Sequence, residues 1–318
     1  MANQLLIQSP DRTLVRGQKM AVTIVLALDE PLKVRGIHAE FLGAEETTAV
    51  YTTTSTDSKG ITTVHTHTAV QHEEVTRQVH LLAGNEKMGF FGNMTDAVAT
   101  VFGAGKHDTL EPGDHQFDVV VTIPDDAPPT HVGEKTRVFY ELSVRVDVPA
   151  GYDVKATESF QVAPIVVDTK TSPVRTRYPD DAGRGLIDAL FGPDVKVEMA
   201  LVADTYQRDE LIEGILAIEA TEPVNCRRIF VQLLGVESSE ANGHTDGVSH
   251  LSDPLDLALP GTIIDSYKQE FSFPAEATGP PTASGARFSI KWFVQIQLDV
   301  PWAKDPKIRA PFVLLPRL

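Results

Sequence analysis

His65 and His67 are the residues whose type and spacing come closest to a chemical site. They stand two apart in VYTTTSTDSKGITTVHTHTAVQHEEVTRQVH, the threonine-rich stretch from Val50 to His80. On a β-strand, residues i and i+2 share a face. Imidazoles so placed can bind zinc or copper. His72, Glu73, Glu74 and His80 follow at no fixed spacing to the pair. A structural zinc site shows four clear ligands, and no cysteine is near. The stretch therefore reads first as an exposed polar hairpin turning near Asp57-Ser58-Lys59-Gly60. Metal binding at His65 and His67 is the alternative, and no metal or cofactor is assigned.

A second candidate lies just downstream. In Phe90-Phe91-Gly92-Asn93-Met94-Thr95-Asp96-Ala97-Val98-Ala99-Thr100-Val101-Phe102, the residues Phe91, Met94, Val98, Val101 and Phe102 recur at helical spacing. This predicts a short amphipathic helix. Its apolar face reads as core packed on a sheet; the functional alternative is a partner-contact surface formed by Phe90, Phe91, Met94, Val98, Val101 and Phe102. Glycines at 84, 89, 92, 103 and 105 would let the segment move. It lacks the Lys/Arg-rich face of a membrane-surface helix, so membrane contact is peripheral at most.

Signatures of catalysis are missing. The chain has no G-x-S-x-G, H-E-x-x-H, Walker loop or Rossmann fingerprint. Gly103-Ala104-Gly105-Lys106 lacks the earlier glycine and the Ser/Thr of a phosphate loop. Cys226, the single cysteine, falls inside an expected strand and reads as a small buried side chain rather than a nucleophile. The chain is not expected to be an enzyme.

Bulk properties narrow the classes further. The 318 residues carry a net charge of −16, which disfavours nucleic acid and anionic lipid as partners. The basic residues Arg175, Arg177 and Arg184 are too sparse to reverse that. No apolar run approaches the ~20 residues that cross a bilayer, and Asp11 and Arg12 interrupt the N-terminal apolar stretch too early for a secretory signal. One cysteine permits no internal disulfide, so a reducing, cytoplasmic setting is expected.

The elements that must position these residues are strands. QLLIQ, MAVTIVLAL, GIHAEFL, FDVVVTI and VFYELSVRVDV are short, β-branched and partly alternating, with Pro- and Gly-containing turns between them. The two halves of the chain match. At a shift of 192, Glu30–Glu46 lies on Glu222–Ser238, with Glu30, Pro31, Arg35, Ile37, Leu42, Gly43 and Glu45 identical to their counterparts Glu222, Pro223, Arg227, Ile229, Leu234, Gly235 and Glu237. At a shift of 152, Val138–Pro149 lies on Ile290–Pro301, with Tyr140 on Trp292. The first copy thus holds about 40 extra residues within 47–137, the difference of the two shifts. Repetition makes Arg35 and Arg227 structural: they are expected to hold equivalent turns. Spacing of this kind predicts antiparallel sandwiches.

Glu111-Pro112-Gly113-Asp114-His115-Gln116-Phe117, then Val121-Thr122-Ile123-Pro124 to Pro128-Pro129, then Val138-Phe139-Tyr140-Glu141-Leu142, resemble the arrestin-like superfamily. Phe271-Ser272-Phe273-Pro274 to Pro280-Pro281 repeats the pattern, and Phe160-Gln161-Val162-Ala163-Pro164 resembles the last strand of an arrestin N-domain. The resemblance covers most of the chain. It implies an all-β chain of two tandem antiparallel β-sandwich domains with one short helix in the N-terminal domain: an N-like sandwich over 1–163, a linker over 164–193 and a C-like sandwich over 194–318. The linker's apolar Gly185–Phe191 is read as one or two helical turns. Members are adaptors and scaffolds, with bacterial relatives among sporulation-control proteins. No Pro-Pro-x-Tyr motif is present, and no regulatory tail is expected after the apolar strand Pro311–Leu315, so the tail-release mechanism of receptor-binding members is not expected here.

The functional expectation is a non-enzymatic adaptor or scaffold that binds a protein partner in signalling, trafficking or stress/sporulation control. The alternative is a ligand- or metal-binding β-sandwich with its site in the 50–108 insertion. Leu255-Asp256-Leu257-Ala258-Leu259 faintly resembles a clathrin-box peptide, against a default of strand or loop. Partner identity and oligomeric state stay open.

Overall fold

The computed structural model describes residues 4–84, 109–149, 151–164, 172–178, 195–258, 261–303 and 305–316. Among these, regular structure is entirely strand. The short helix expected at 90–102 is not borne out: its residues lie outside the described ones, and no described residue is helical. The described chain alternates buried and exposed side chains with period two, the pattern of strands rather than helices.

Two compact units emerge. The first comprises Met1–Glu46, His72–Thr130 and Arg137–Ile165, and the second Thr47–Gln71, His131–Thr136 and Val166–Leu318. In chain order the first eleven strands are β1 (Gln4–Gln8), β2 (Thr13–Leu14), β3 (Lys19–Leu28), β4 (Leu32–Lys33), β5 (Gly36–Thr56), β6 (Thr62–Gly84), β7 (Thr109–Leu110), β8 (Gly113–Thr122), β9 (His131–Val132), β10 (Thr136–Asp147) and β11 (Val154–Val162). The rest are β12 (Val174–Tyr178), β13 (Val195–Leu201), β14 (Thr205–Gln207), β15 (Leu211–Ala220), β16 (Val224–Cys226), β17 (Arg228–Ala241), β18 (His244–Leu251), β19 (Leu255–Ala258), β20 (Gly261–Ile263), β21 (Ser266–Pro274), β22 (Ala283–Ser284), β23 (Phe288–Asp299) and β24 (Lys307–Leu315).

The sheets run β1-β3-β8 and β2-β11-β10-β5-β6, then β12-β13-β15-β21 and β14-β24-β23-β17-β18. The same plan therefore occurs twice. Even the small parallel pairing of β2 with β11 returns as β14 with β24. The two-stranded pair β4-β7 returns as β16-β20.

Side-chain alternation explains the cores. Val138, Tyr140, Leu142, Val144 and Val146 on β10 are buried, and so are Ile290, Trp292, Val294, Ile296 and Leu298 on β23. Each aliphatic side chain so placed stabilises by about 1.5–3 kcal/mol relative to exposure. The two central aromatics are anchored alike. The Tyr140 hydroxyl donates to the Pro128 carbonyl at 2.7 Å, and Trp292 Nε1 donates to the Pro280 carbonyl at 2.9 Å. Gly43 and Gly235 sit beneath these rings, where an added Cβ would lie 2.5 Å from Tyr140 and 2.7 Å from Trp292.

Arg35 and Arg227 also act alike. Arg35 Nε donates to Asp147 Oδ1 at 2.8 Å, and Arg227 Nε donates to Asp299 Oδ1 at 2.9 Å. Each arginine ties the start of one strand to the Asp-Val-Pro end of another. Thr130 and Thr282 complete the pattern, their hydroxyls accepting the N–H groups of Val162 and Leu314.

Two differences separate the copies. β6 has 23 residues where its counterpart β18 has 8, so much of the extra length of the first copy lies in the β5–β6 hairpin. The second is β12, inside the stretch expected to be linker. It pairs antiparallel with β13 and adds a fourth strand to that sheet. Val174-Arg175-Thr176-Arg177-Tyr178 alternates as a strand should, but it is short, charged and bounded by Pro173 and Pro179, which masked the pattern.

Candidate functional site

The outer part of the β5–β6 hairpin, 47–71, forms a polar ribbon within the second unit. Asp57 builds its turn. Its carboxylate accepts the N–H groups of Lys59 and Ile61, both at 2.9 Å, and its own N–H reaches the Ile61 carbonyl at 3.0 Å. At the ribbon's base, Ala49, Ala69 and Ala241 form a small apolar cluster capped by Tyr51. Tyr51 lies flat on His244 with ring centres 3.6 Å apart, and His67 stacks on Tyr51 at 5.1 Å.

His65 and His67 are exposed and share a face, with ring centres 6.4 Å apart. His67 Nε2 is 2.8 Å from the Thr53 hydroxyl, and His65 Nε2 is 3.2 Å from Ser55. The structure brings these two together but adds no third ligand: no group of three or more His, Cys, Asp or Glu is placed to hold a metal among the described residues. In the first unit, His72 Nδ1 faces Glu46 at 3.5 Å. Burial holds the His80 imidazole below its ordinary pKa, with Nε2 unbonded.

The most deeply buried polar side chain among the described residues is Glu237 on β17, which is 0% exposed. It accepts the N–H groups of Glu134 at 3.0 Å and Lys135 at 2.8 Å, and the Thr136 hydroxyl at 2.8 Å. His250 Nε2 stands 3.3 Å away. Gly133 completes the cradle, since a Cβ there would lie 2.4 Å from the carboxylate. Burial pushes the Glu237 carboxyl up, but the four hydrogen bonds outweigh it and leave it below the ordinary value. Beside it, Asp246 accepts Lys135 Nζ at 2.9 Å and the Val50 N–H at 2.9 Å. These bonds and the Gly247 N–H bring its carboxyl down to about 2. With every oxygen engaged, Glu237 is equipped to hold the 131–136 segment, not to exchange protons with a substrate.

The repeat pairs Glu45 with Glu237, and spacing alone assigns neither a role. Both are buried, at 1% and 0% exposure. A glutamate repeated in an otherwise apolar Leu-Gly-x-Glu strand was the available signal, since a buried carboxylate must find donors.

Cys226 is 3% exposed and its thiol is pushed up by burial. It lines a shallow cavity of about 280 Å³ with Ile229, Gly261, Ile263, Ile264 and Tyr267. Residues 255–258 form β19, hydrogen-bonded to β17, with Asp256 paired to Arg228. That places the clathrin-box-like stretch in a sheet and not in a free peptide, as the default reading had it. Phe90, Phe91, Met94, Val98, Val101 and Phe102 lie outside the described residues. Among the described residues no helix is long and apolar enough to cross a membrane.

No curated protein matches the chain. A family model does: Arrestin (or S-antigen), N-terminal domain, over residues 4–168. That span contains the β1–β11 plan, the Arg35–Asp147 pair and the Tyr140 anchor, and it is more than half of the 318 residues. The chain belongs to the arrestin family.

Proposed function

We propose that this chain is a non-enzymatic cytoplasmic adaptor, built as two tandem arrestin-like sandwiches over 1–163 and 194–318, that binds a protein partner. One observation carries the reading. The polar groups held at matched positions serve structure in both copies: Arg35 with Asp147, Arg227 with Asp299, Thr130 and Thr282. What distinguishes the copies is exposed strand, above all the long β6, which is suited to partner contact by strand addition. The apolar residues Phe90, Phe91, Met94, Val98, Val101 and Phe102 supply a second contact surface on this reading.

Affinity capture with the intact chain, and with a chain lacking 85–105, tests it. A stoichiometric protein lost on deletion supports an adaptor with its contact at 90–102. A protein retained on deletion moves the contact to the sandwich edges. Turnover of a small molecule by the purified chain, with no protein captured by either form, overturns the adaptor reading.

A further inference from the structure

We propose that the outer edge of β6 docks a second copy of this chain, and that the two copies together complete a zinc site from His65 and His67 of each. This does not rest on the adaptor reading, but it uses the same β6 edge, so a second copy and a third-party partner compete for it.

The edge comes first. β6 ends its sheet, and its outer side pairs with no strand among the described residues. Exposed edge strands usually carry lysine, proline or a bulge that blocks pairing. Here Gly60–His72 contains no Asp, Glu, Lys, Arg or Pro, and it is the longest uncharged run in the chain. In a protein of net charge −16, two copies repel over most of their surfaces and least along this run.

The register follows from the turn. The Asp57 N–H to Ile61 carbonyl bond sets those residues opposite each other, and the stacking of Tyr51 on His67 agrees. Alternation then directs the backbone N–H and C=O groups of Thr62, Val64, Thr66 and Thr68 outward; at Val70 the open edge ends, because the Val70 carbonyl already accepts Asn242 Nδ2 at 3.3 Å. Antiparallel self-pairing must match outward residues with outward residues. Centring it on Thr66, the midpoint of Gly60–His72, keeps every opposed side chain in the run uncharged. It also brings Lys59 in the turn toward the Glu73-Glu74 pair of the second copy.

That register sets His65 opposite His67 of the second copy in a non-hydrogen-bonded pair, with Cβ atoms about 4.5–5.5 Å apart. Four imidazoles then share one face around the two-fold axis. Four nitrogen donors in a tetrahedron are a zinc set. With Zn–N bonds of about 2.0–2.1 Å, neighbouring ring centres stand about 5 Å apart. The observed 6.4 Å between His65 and His67 closes to that by a modest rotation. The hydroxyls of Ser55 and Thr53 already hold the two Nε2 atoms. In the Nε2-protonated tautomer they accept that proton and leave Nδ1 to coordinate, the arrangement that orients metal-bound histidines. One copy supplies only half the ligands, so the site is incomplete without the second.

Sedimentation velocity of the EDTA-treated full chain, with and without added zinc chloride, tests the proposal. The expected result is a monomer in EDTA, a dimer with zinc, and saturation at one zinc per two chains. The His65→Ala/His67→Ala variant stays monomeric with zinc. Thr66→Pro removes a central outward N–H while keeping all the imidazoles, and it weakens the zinc-dependent dimer at least tenfold. Unchanged melting temperatures show that both variants fold. A chain that stays monomeric in tenfold excess zinc overturns the proposal. So does a zinc-dependent dimer that survives removal of both histidines, or one zinc bound per monomer.

Discussion

Replacing Glu237 with glutamine tests whether the buried carboxylate holds the 131–136 segment in place. Glutamine preserves the shape and keeps one acceptor oxygen. Its amide nitrogen, however, turns N–H groups toward donors now satisfied by the second carboxylate oxygen. Glu134 N, Lys135 N, the Thr136 hydroxyl and His250 cannot all be served. A hydrogen bond to a charged group contributes about 1.5–3 kcal/mol, so loss of one or two gives a destabilisation of about 3 kcal/mol. For domains of roughly 150–250 residues that lowers the melting temperature by about 6–12 °C. Urea titration followed by tryptophan fluorescence reads it, because buried Trp292 belongs to the same unit as Glu237.

The pH dependence sharpens this prediction. The folded-state pKa of Glu237 is depressed from an ordinary value of 4.5. Its contribution is therefore present in full above that value and is lost as pH falls through the lower folded value. Glutamine does not titrate. The stability gap between the native chain and Glu237→Gln is thus widest at neutral pH and narrows below about pH 4.5. A loss under about 1 kcal/mol at pH 7, or a gap that stays constant down to pH 3, refutes the reasoning.

Further outcomes follow from the repeated framework. Gly43→Ala and Gly235→Ala each force a methyl against a buried ring and should destabilise by about 1–3 kcal/mol, measured by thermal unfolding. Trp292→Phe leaves the Pro280 carbonyl without its donor and should cost about 1–3 kcal/mol, read by calorimetry since the fluorophore is lost. The Arg227–Asp299 pair is largely solvent-exposed on the arginine side, so Arg227→Lys should change stability by less than about 1 kcal/mol in urea titration. Cys226 should react slowly with a disulfide reagent at pH 8 in the native chain and rapidly in urea, because burial raises its thiol pKa and blocks access.

Much of the fold was readable before the structure, and the reason is local. Alternation along Val138–Val146 and Ile290–Leu298 reports a buried face directly, because side chains on a strand change sides at every residue. The pairs Gly43/Gly235, Tyr140/Trp292 and Arg35/Arg227 stood out because they recur at two fixed offsets. β12 did not stand out: five residues bounded by prolines give too little period to separate a strand from a connection.

The candidate site was readable only in part. His65 and His67 were found because strand periodicity alone sets them on one face. Their surroundings were not, since the Tyr51–His244 stack joins residues far apart in the chain. Glu237 shows the same limit more sharply. The sequence by itself determined that a glutamate recurs at matched positions in two apolar strands. Only the tertiary structure decided that Glu134, Lys135 and Thr136, about a hundred residues away, would supply its donors. Strand periodicity acts between neighbours on the chain, whereas the satisfaction of a buried charge depends on whichever donors the fold delivers to it.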